Sequence, residues 1–139
     1  MKKLLILFSL MCAGCSSVPS KQNAIIANTG DAATTLAAVS QGHTELNPLG
    51  PVGVLVAKPI VYGIINQQPK EDRAKYFSTY GAVGWFGTGN NLCVLAGGGA
   101  GCLLVGMISG IVSWQATSLE REYWELCKRV IHKDPGDEC

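Results

Sequence analysis

Charged side chains are scarce in the first half of this chain: between Gln22 and Pro69 only Asp31, Glu45 and Lys58 occur. The residues around them are apolar or small and read as two helices joined near Thr44. That turn sets Asp31 and Lys58 at matched height on facing helices. An opposite pair at one depth is what burial would require, because a lone charge in an apolar setting costs several kcal/mol. Two readings stay open, a buried pair or two charges turned to water on a bundle surface. Asn28, Asp31 and Thr35 share one helix face by their spacing, while Ile25, Ala32, Leu36 and Val39 lie on another. Asp31, Thr35, Glu45 and Lys58 are therefore the candidate buried polar network. Capping and orienting the hairpin is its favoured role, and an ion or proton site is the alternative.

No other constellation points to catalysis. His43 and His132 have no Ser, Cys or Glu partner at a recognisable spacing, and no G-x-S-x-G, H-E-x-x-H or Walker loop occurs. Gly87-Thr88-Gly89-Asn90-Asn91-Leu92 falls short of G-x-G-x-x-G, lacking the preceding strand and the later acidic partner. The expectation is a protein without enzymatic activity, cofactor or metal. With 11 basic and 10 acidic residues, the chain has no basic excess for nucleic acid.

The N-terminus carries an address. Met1-Lys2-Lys3 precedes an apolar run from Leu4 to Ala13 and the small residues Gly14-Cys15-Ser16-Ser17, a secretory signal too short for a membrane span. Cys12-Ala13-Gly14-Cys15 resembles the lipobox of bacterial lipoproteins. That resemblance implies that Cys15 receives a diacylglycerol and becomes residue one of the mature chain, with residues 1–14 removed. Loss of Lys2 and Lys3 turns the formal charge from +1 to −1. In such lipoproteins Ser rather than Asp after the lipidated Cys implies release to the outer membrane.

Export bears on the remaining cysteines. Cys93, Cys102, Cys127 and Cys139 are an even set in an oxidising compartment, so two disulfides are expected. The local pairs Cys93–Cys102 and Cys127–Cys139 are the favoured connectivity, the first stapling the turn Ala96-Gly97-Gly98-Gly99-Ala100-Gly101. Free cysteines buried in an apolar helix pair are the other reading.

The elements follow from Gly and Pro punctuation. Residues 15–22 form a lipidated tether, 23–131 a helical domain and 132–139 a tail. The first helix spans about Asn23 to Ser40 and ends at Gly42 in a left-handed cap. Asn47-Pro48 opens a second that runs to about Asn66, kinked or broken at Pro59. Gln67 to Lys75 is a charged connection into the third helix. From Tyr76 to Leu119 no charged side chain occurs, enough for two membrane-length helices and a turn. Gly97-x-x-x-Gly101 and Gly106-x-x-x-Gly110 would let helices approach closely, the first only if its helix extends into the turn. Trp85 and Trp114 suit membrane interfaces or a buried core equally. A last helix, Leu119 to Ile131, has an apolar stripe at Leu119, Tyr123, Leu126 and Val130, and Thr117 and Glu120 fit a capping box. The fold expected is all-α, two apolar helical hairpins followed by an amphipathic C-terminal helix.

Asp31-x-x-Thr34-Thr35 followed by Gly42-x-x-Glu45-x-Asn47-Pro48 resembles a marker of an uncharacterised family of small bacterial and archaeal membrane proteins. The resemblance implies a helical membrane domain and no known activity. A simple four-span topology conflicts with the charges, however. From a lipidated start, the turns 41–47 and 96–101 would be cytoplasmic yet lack Lys and Arg, while Lys70, Arg73, Lys75, Arg121, Lys128 and Arg129 would lie outside. That opposes the positive-inside rule. The expectation is a lipid-anchored envelope protein facing the periplasm, with the outer membrane favoured over the inner. Its hairpins pack together or dip into the leaflet holding the lipid, and its role is structural or interactive. Membrane lipid, a second copy or another envelope protein are the expected partners. The alternative is a small multi-helix membrane protein with a channel-like or transporter-like role.

Overall fold

Helices account for nearly all of the described chain, and the reason is local: apolar and small residues run without strand alternation until Gly or Pro interrupts them. The computed structural model describes residues 18–43 and 50–131. Five helices follow in order: α1 (Ser20–Ser40), α2 (Gly50–Asn66), α3 (Lys70–Leu95), α4 (Cys102–Ala116) and α5 (Ser118–Ile131). The all-α expectation holds, and among the described residues no strand occurs.

Glycines end two of the helices. Gly42, at φ +85°, lets the Gly42 and His43 N–H groups return to the Val39 and Ala38 carbonyls. Gly97, at φ +81°, does the same for α3, with Gly98 N–H reaching the Cys93 carbonyl at 2.9 Å. Both are Schellman closures, and the positive φ is what makes Gly the fitting residue.

Several boundaries differ from expectation. α1 begins at Ser20, so the last three residues expected in the tether are helical. α3, by contrast, begins at Lys70 after Pro69, inside the charged connection where its start was expected, with Glu71 and Asp72 in its first turn, where acids favour a helix start. α2 continues through Pro59 without a break. The Gly97–Gly101 spacing stays in the turn, because α4 starts only at Cys102.

Packing centres on α3. α1 lies along it in parallel and α4 runs back along it antiparallel, whereas α2 touches α1 and α3 lightly. α1 thus finds its main neighbour two helices away rather than in its own hairpin. The contact surfaces are made of small residues. A Cβ on Gly84 would stand 2.9 Å from the Ala27 carbonyl carbon, and one on Gly81 would stand 3.3 Å from the Ala24 backbone. On α4, Gly106 and Gly110 lie against the Phe86 and Ala82 carbonyls, as their spacing suggested. Helices built this way approach backbone to backbone.

What this leaves outside is unusual. Ile65 and Phe77 are the two large apolar side chains buried among the described residues, with Tyr62 and Tyr80 packed on them. Ile25, Leu36, Val56, Ile60, Val83, Leu104, Ile108 and Ile111 point outward. The apolar face of α1, with Ile25, Leu36 and Val39, is therefore the exposed one, and the Asn28, Asp31 and Thr35 face is turned inward. Asn, Thr and Ser line the interior.

Candidate functional site

The interior polar groups form layers along the α1–α3 seam, each set by a residue on α1 and a glycine or polar residue beside it on α3. In the layer nearest the start of α1, Asn23 accepts from the Trp85 indole N–H at 2.9 Å and donates to Ser113 Oγ at 2.8 Å. That indole is partly buried, its N–H turned onto α1. One turn on, the Thr88 hydroxyl faces the Ala27 and Gly84 carbonyls at 3.1 and 2.9 Å. Asn28 donates through Nδ2 to the Ala24 and Tyr80 carbonyls, both at 3.0 Å.

The next layer holds the charges. Lys58 Nζ stands 2.6 Å from Asp31 Oδ2 and 3.0 Å from Asn28 Oδ1, and the pair is about six-sevenths buried, with 14% and 15% of the side chains exposed. Of the two readings open from sequence, the buried pair is the one found. Asp31 Oδ1 accepts from Asn91 Nδ2 at 3.2 Å, and the same amide reaches Thr35 Oγ1 at 2.9 Å and Thr34 Oγ1 at 3.3 Å. Tyr80 donates its hydroxyl to the Lys58 carbonyl at 2.8 Å, fixing α2 against α3 beside the ion pair. A Cβ on Gly87 would overlap the Asp31 carboxylate, so that glycine makes room for the acid.

Asp31, Thr35 and Lys58 are thus brought together as expected, while Glu45 lies outside the described residues. Asn91 and Tyr80 complete the site and were not singled out from sequence. A signal existed, since Asn90-Asn91 is a polar pair inside the uncharged stretch, but its partner helix could not be read from spacing. Both Asp31 oxygens and both ends of the Asn28 amide are engaged. A buried charge so fully bonded holds helices in register.

Cysteine chemistry sits at one end of the bundle. Cys93 and Cys102 form a disulfide with Cα atoms 5.3 Å apart, ordinary for such a bond, bridging the ends of α3 and α4. Gly98 lies between the two sulfurs, where a Cβ would come within 2.6 Å of each. Cys127 is also disulfide-bonded. Cys139, its expected partner, and Cys15 lie outside the described residues.

The opposite end carries the charges. Lys128 Nζ meets Asp72 Oδ1 at 2.5 Å, with Glu125 at 3.7 Å. The Asp72 hydrogen bond raises the Lys128 ammonium above its ordinary pKa. Arg121 stacks on Trp114, 3.7 Å from the ring centre, and donates to the Trp114 carbonyl and Thr117 Oγ1. Burial lowers the pKa of its guanidinium. Thr117 and Glu120 do not act as the expected capping box. The Thr117 hydroxyl donates back to α4, at the Trp114 carbonyl, and Glu120 Oε2 accepts the Ser20 backbone N–H at 2.5 Å. The apolar stripe of α5 points away from the bundle, with Leu119, Tyr123, Leu126 and Val130 all at least half exposed.

The geometry defines a class, an all-helical bundle with a polar, small-residue interior and an apolar exterior. No protein-family model, curated protein or solved structure matches the chain.

Proposed function

We propose that this chain is a lipid-anchored envelope protein that seats an apolar helical shaft in the membrane and serves a structural or protein-interaction role without catalysis. The observation that carries this reading is the inverted partition just described. In water, large apolar side chains gain about 1.5–3 kcal/mol each by burial, so an exterior of Ile, Val and Leu over an interior of Asn and Thr is costly. In lipid the same arrangement is favourable: small residues and interhelical hydrogen bonds join the helices, and the apolar side chains meet acyl chains.

Dimensions and polarity support it. Among the described residues no single helix is long and apolar enough to cross a membrane, and α4 with α5 passes that test only as a pair bent by 47°. Single-helix hydropathy is low in α1 and α3 because their polar residues face the bundle. From Tyr76 to Leu95 α3 is uncharged over about 30 Å, the depth of a hydrocarbon core. The base carries Lys70 to Lys75 and α5, and α1 starts there five residues after Cys15. The acyl anchor and the charges therefore share one face, and anchor plus shaft make two attachments. The tip, Ala96 to Gly101, is uncharged and exposed. A tip disulfide suits the outer membrane, where both faces are oxidising. The direct pairing of Asp31 with Lys58, braced by Asn28 and Asn91, speaks against the channel-like alternative.

The test separates the two attachments. The mature chain from Ser16 is placed behind a cleavable signal without a lipobox and followed by carbonate extraction and separation of the two membranes. Retention in the outer-membrane fraction is expected. Recovery in the soluble periplasm would remove the shaft from the proposal, and absence of acyl-chain labelling on Cys15 in the native chain would remove the anchor.

A further inference from the structure

The base of the bundle contains a cavity of about 230 Å³, lined by Ser20, Lys21, Lys70, Arg73, Glu120 and Trp124 around a floor of Ala74 and Phe77. Three of these residues are cations and one is an anion. Glu120 is engaged with the Ser20 N–H, and neighbouring Asp72 is taken by Lys128. The three lining cations outnumber Glu120, so positive charge is in excess at the cavity mouth; Lys21 also lies over the Tyr62 ring and Arg73 Nε donates to the Gln68 carbonyl. α1 and α3 both start here, after Pro19 and Pro69, which brings Ser20 and Lys21 beside Lys70 and Arg73. Inside, the Ser20 hydroxyl is the one buried side-chain polar atom without a hydrogen-bond partner among the described residues. A buried hydroxyl left without a partner carries a cost that an incoming polar ligand removes.

We propose that this cavity takes the phosphate of an anionic phospholipid headgroup. The proposal rests on the membrane seating above, which places the cavity at headgroup level beside the acyl anchor. Lys70 and Arg73, one turn apart on α3, and Lys21 on α1 hold the phosphate oxygens, and the Ser20 hydroxyl meets an ester or phosphate oxygen. Trp124, partly exposed at the cavity edge, faces the glycerol and the first acyl carbons, an amphipathic position that suits tryptophan, over a floor closed by Phe77.

The experiment uses the full mature chain in detergent micelles, so that it does not depend on membrane placement. Isothermal titration compares dihexanoyl-phosphatidylglycerol, dihexanoyl-phosphatidylcholine and inorganic phosphate. Saturable binding of the glycerol lipid is expected, weakened by roughly tenfold or more in K70Q/R73Q and in K21Q/K70Q. K75Q/R129Q removes the same charge from outside the cavity and is expected to bind like the wild type. Equal binding of the choline lipid, or equal weakening in K75Q/R129Q, would overturn the site in favour of general electrostatics. Inorganic phosphate binding as tightly as the lipid would overturn the lipid source. Absence of binding to a wild type that still fractionates with membranes would overturn this proposal alone.

Discussion

Asp31 and Lys58 are stable where they are because each is the other's partner and Asn28 and Asn91 satisfy what remains. Removing one charge leaves the other buried. D31N and K58M are each expected to lower stability by about 3 kcal/mol, and the double variant by less than their sum. Thermal unfolding in detergent reads the cycle, and singles as benign as the double would deny the pair any energetic role. Glycine gives a second contrast at this scale. G84A sets a methyl against the Ala27 backbone, which cannot rotate aside, so a loss of about 1–3 kcal/mol is expected. Gly63 has nothing within 4 Å of its would-be Cβ, and G63A is expected to be neutral or to gain about 0.5–1 kcal/mol. Similar melting shifts for the two would contradict the close α1–α3 seam.

At the scale of elements, the staple between α3 and α4 closes a short loop of sequence separation 9 through the glycine-rich turn Ala96 to Gly101. Loop-closure entropy makes it worth about 2–3 kcal/mol, and C93S/C102S is expected to lose that much against denaturant. An unchanged midpoint would mean that the helix pair alone positions the turn. Helix positions and the Gly42 cap were legible from sequence, because capping glycines and long uncharged runs are local signals. Asp31–Lys58 was half legible: so few charges set the two at one height, but whether they faced each other or water stayed open. The α1–α3 seam was not. Its glycines, Gly81, Gly84 and Gly87, recur every three residues rather than every four, and its polar partners lie on helices that are not consecutive. Spacing within one segment says which residues share a face. It does not say which neighbour that face will meet.

For the whole molecule, the exterior decides where the protein is at rest. Ile108 and Val83 are well exposed, so a lysine there touches nothing that the fold needs. In detergent, I108K and V83K are expected to melt like the wild type. On the proposed seating, the same mid-shaft substitutions carry a lysine into hydrocarbon, where each costs about 3 kcal/mol. V83K/I108K without the acyl anchor is therefore expected to leave the membrane fraction while keeping its helix content. Full retention would show that the exterior does not meet lipid.

The parallel alliance of α1 with α3 also dictates an order of events during manufacture. Asn23, Asn28 and Asp31 find their hydrogen-bond partners on α3, 52 to 62 residues further along the chain, so α1 leaves the ribosome with a polar face that nothing yet covers. Lipid would reject that face until Tyr80, Trp85 and Asn91 have arrived. On the proposed seating in lipid, insertion waits until the chain has been delivered past Asn91, because only then can the polar face of α1 close against α3.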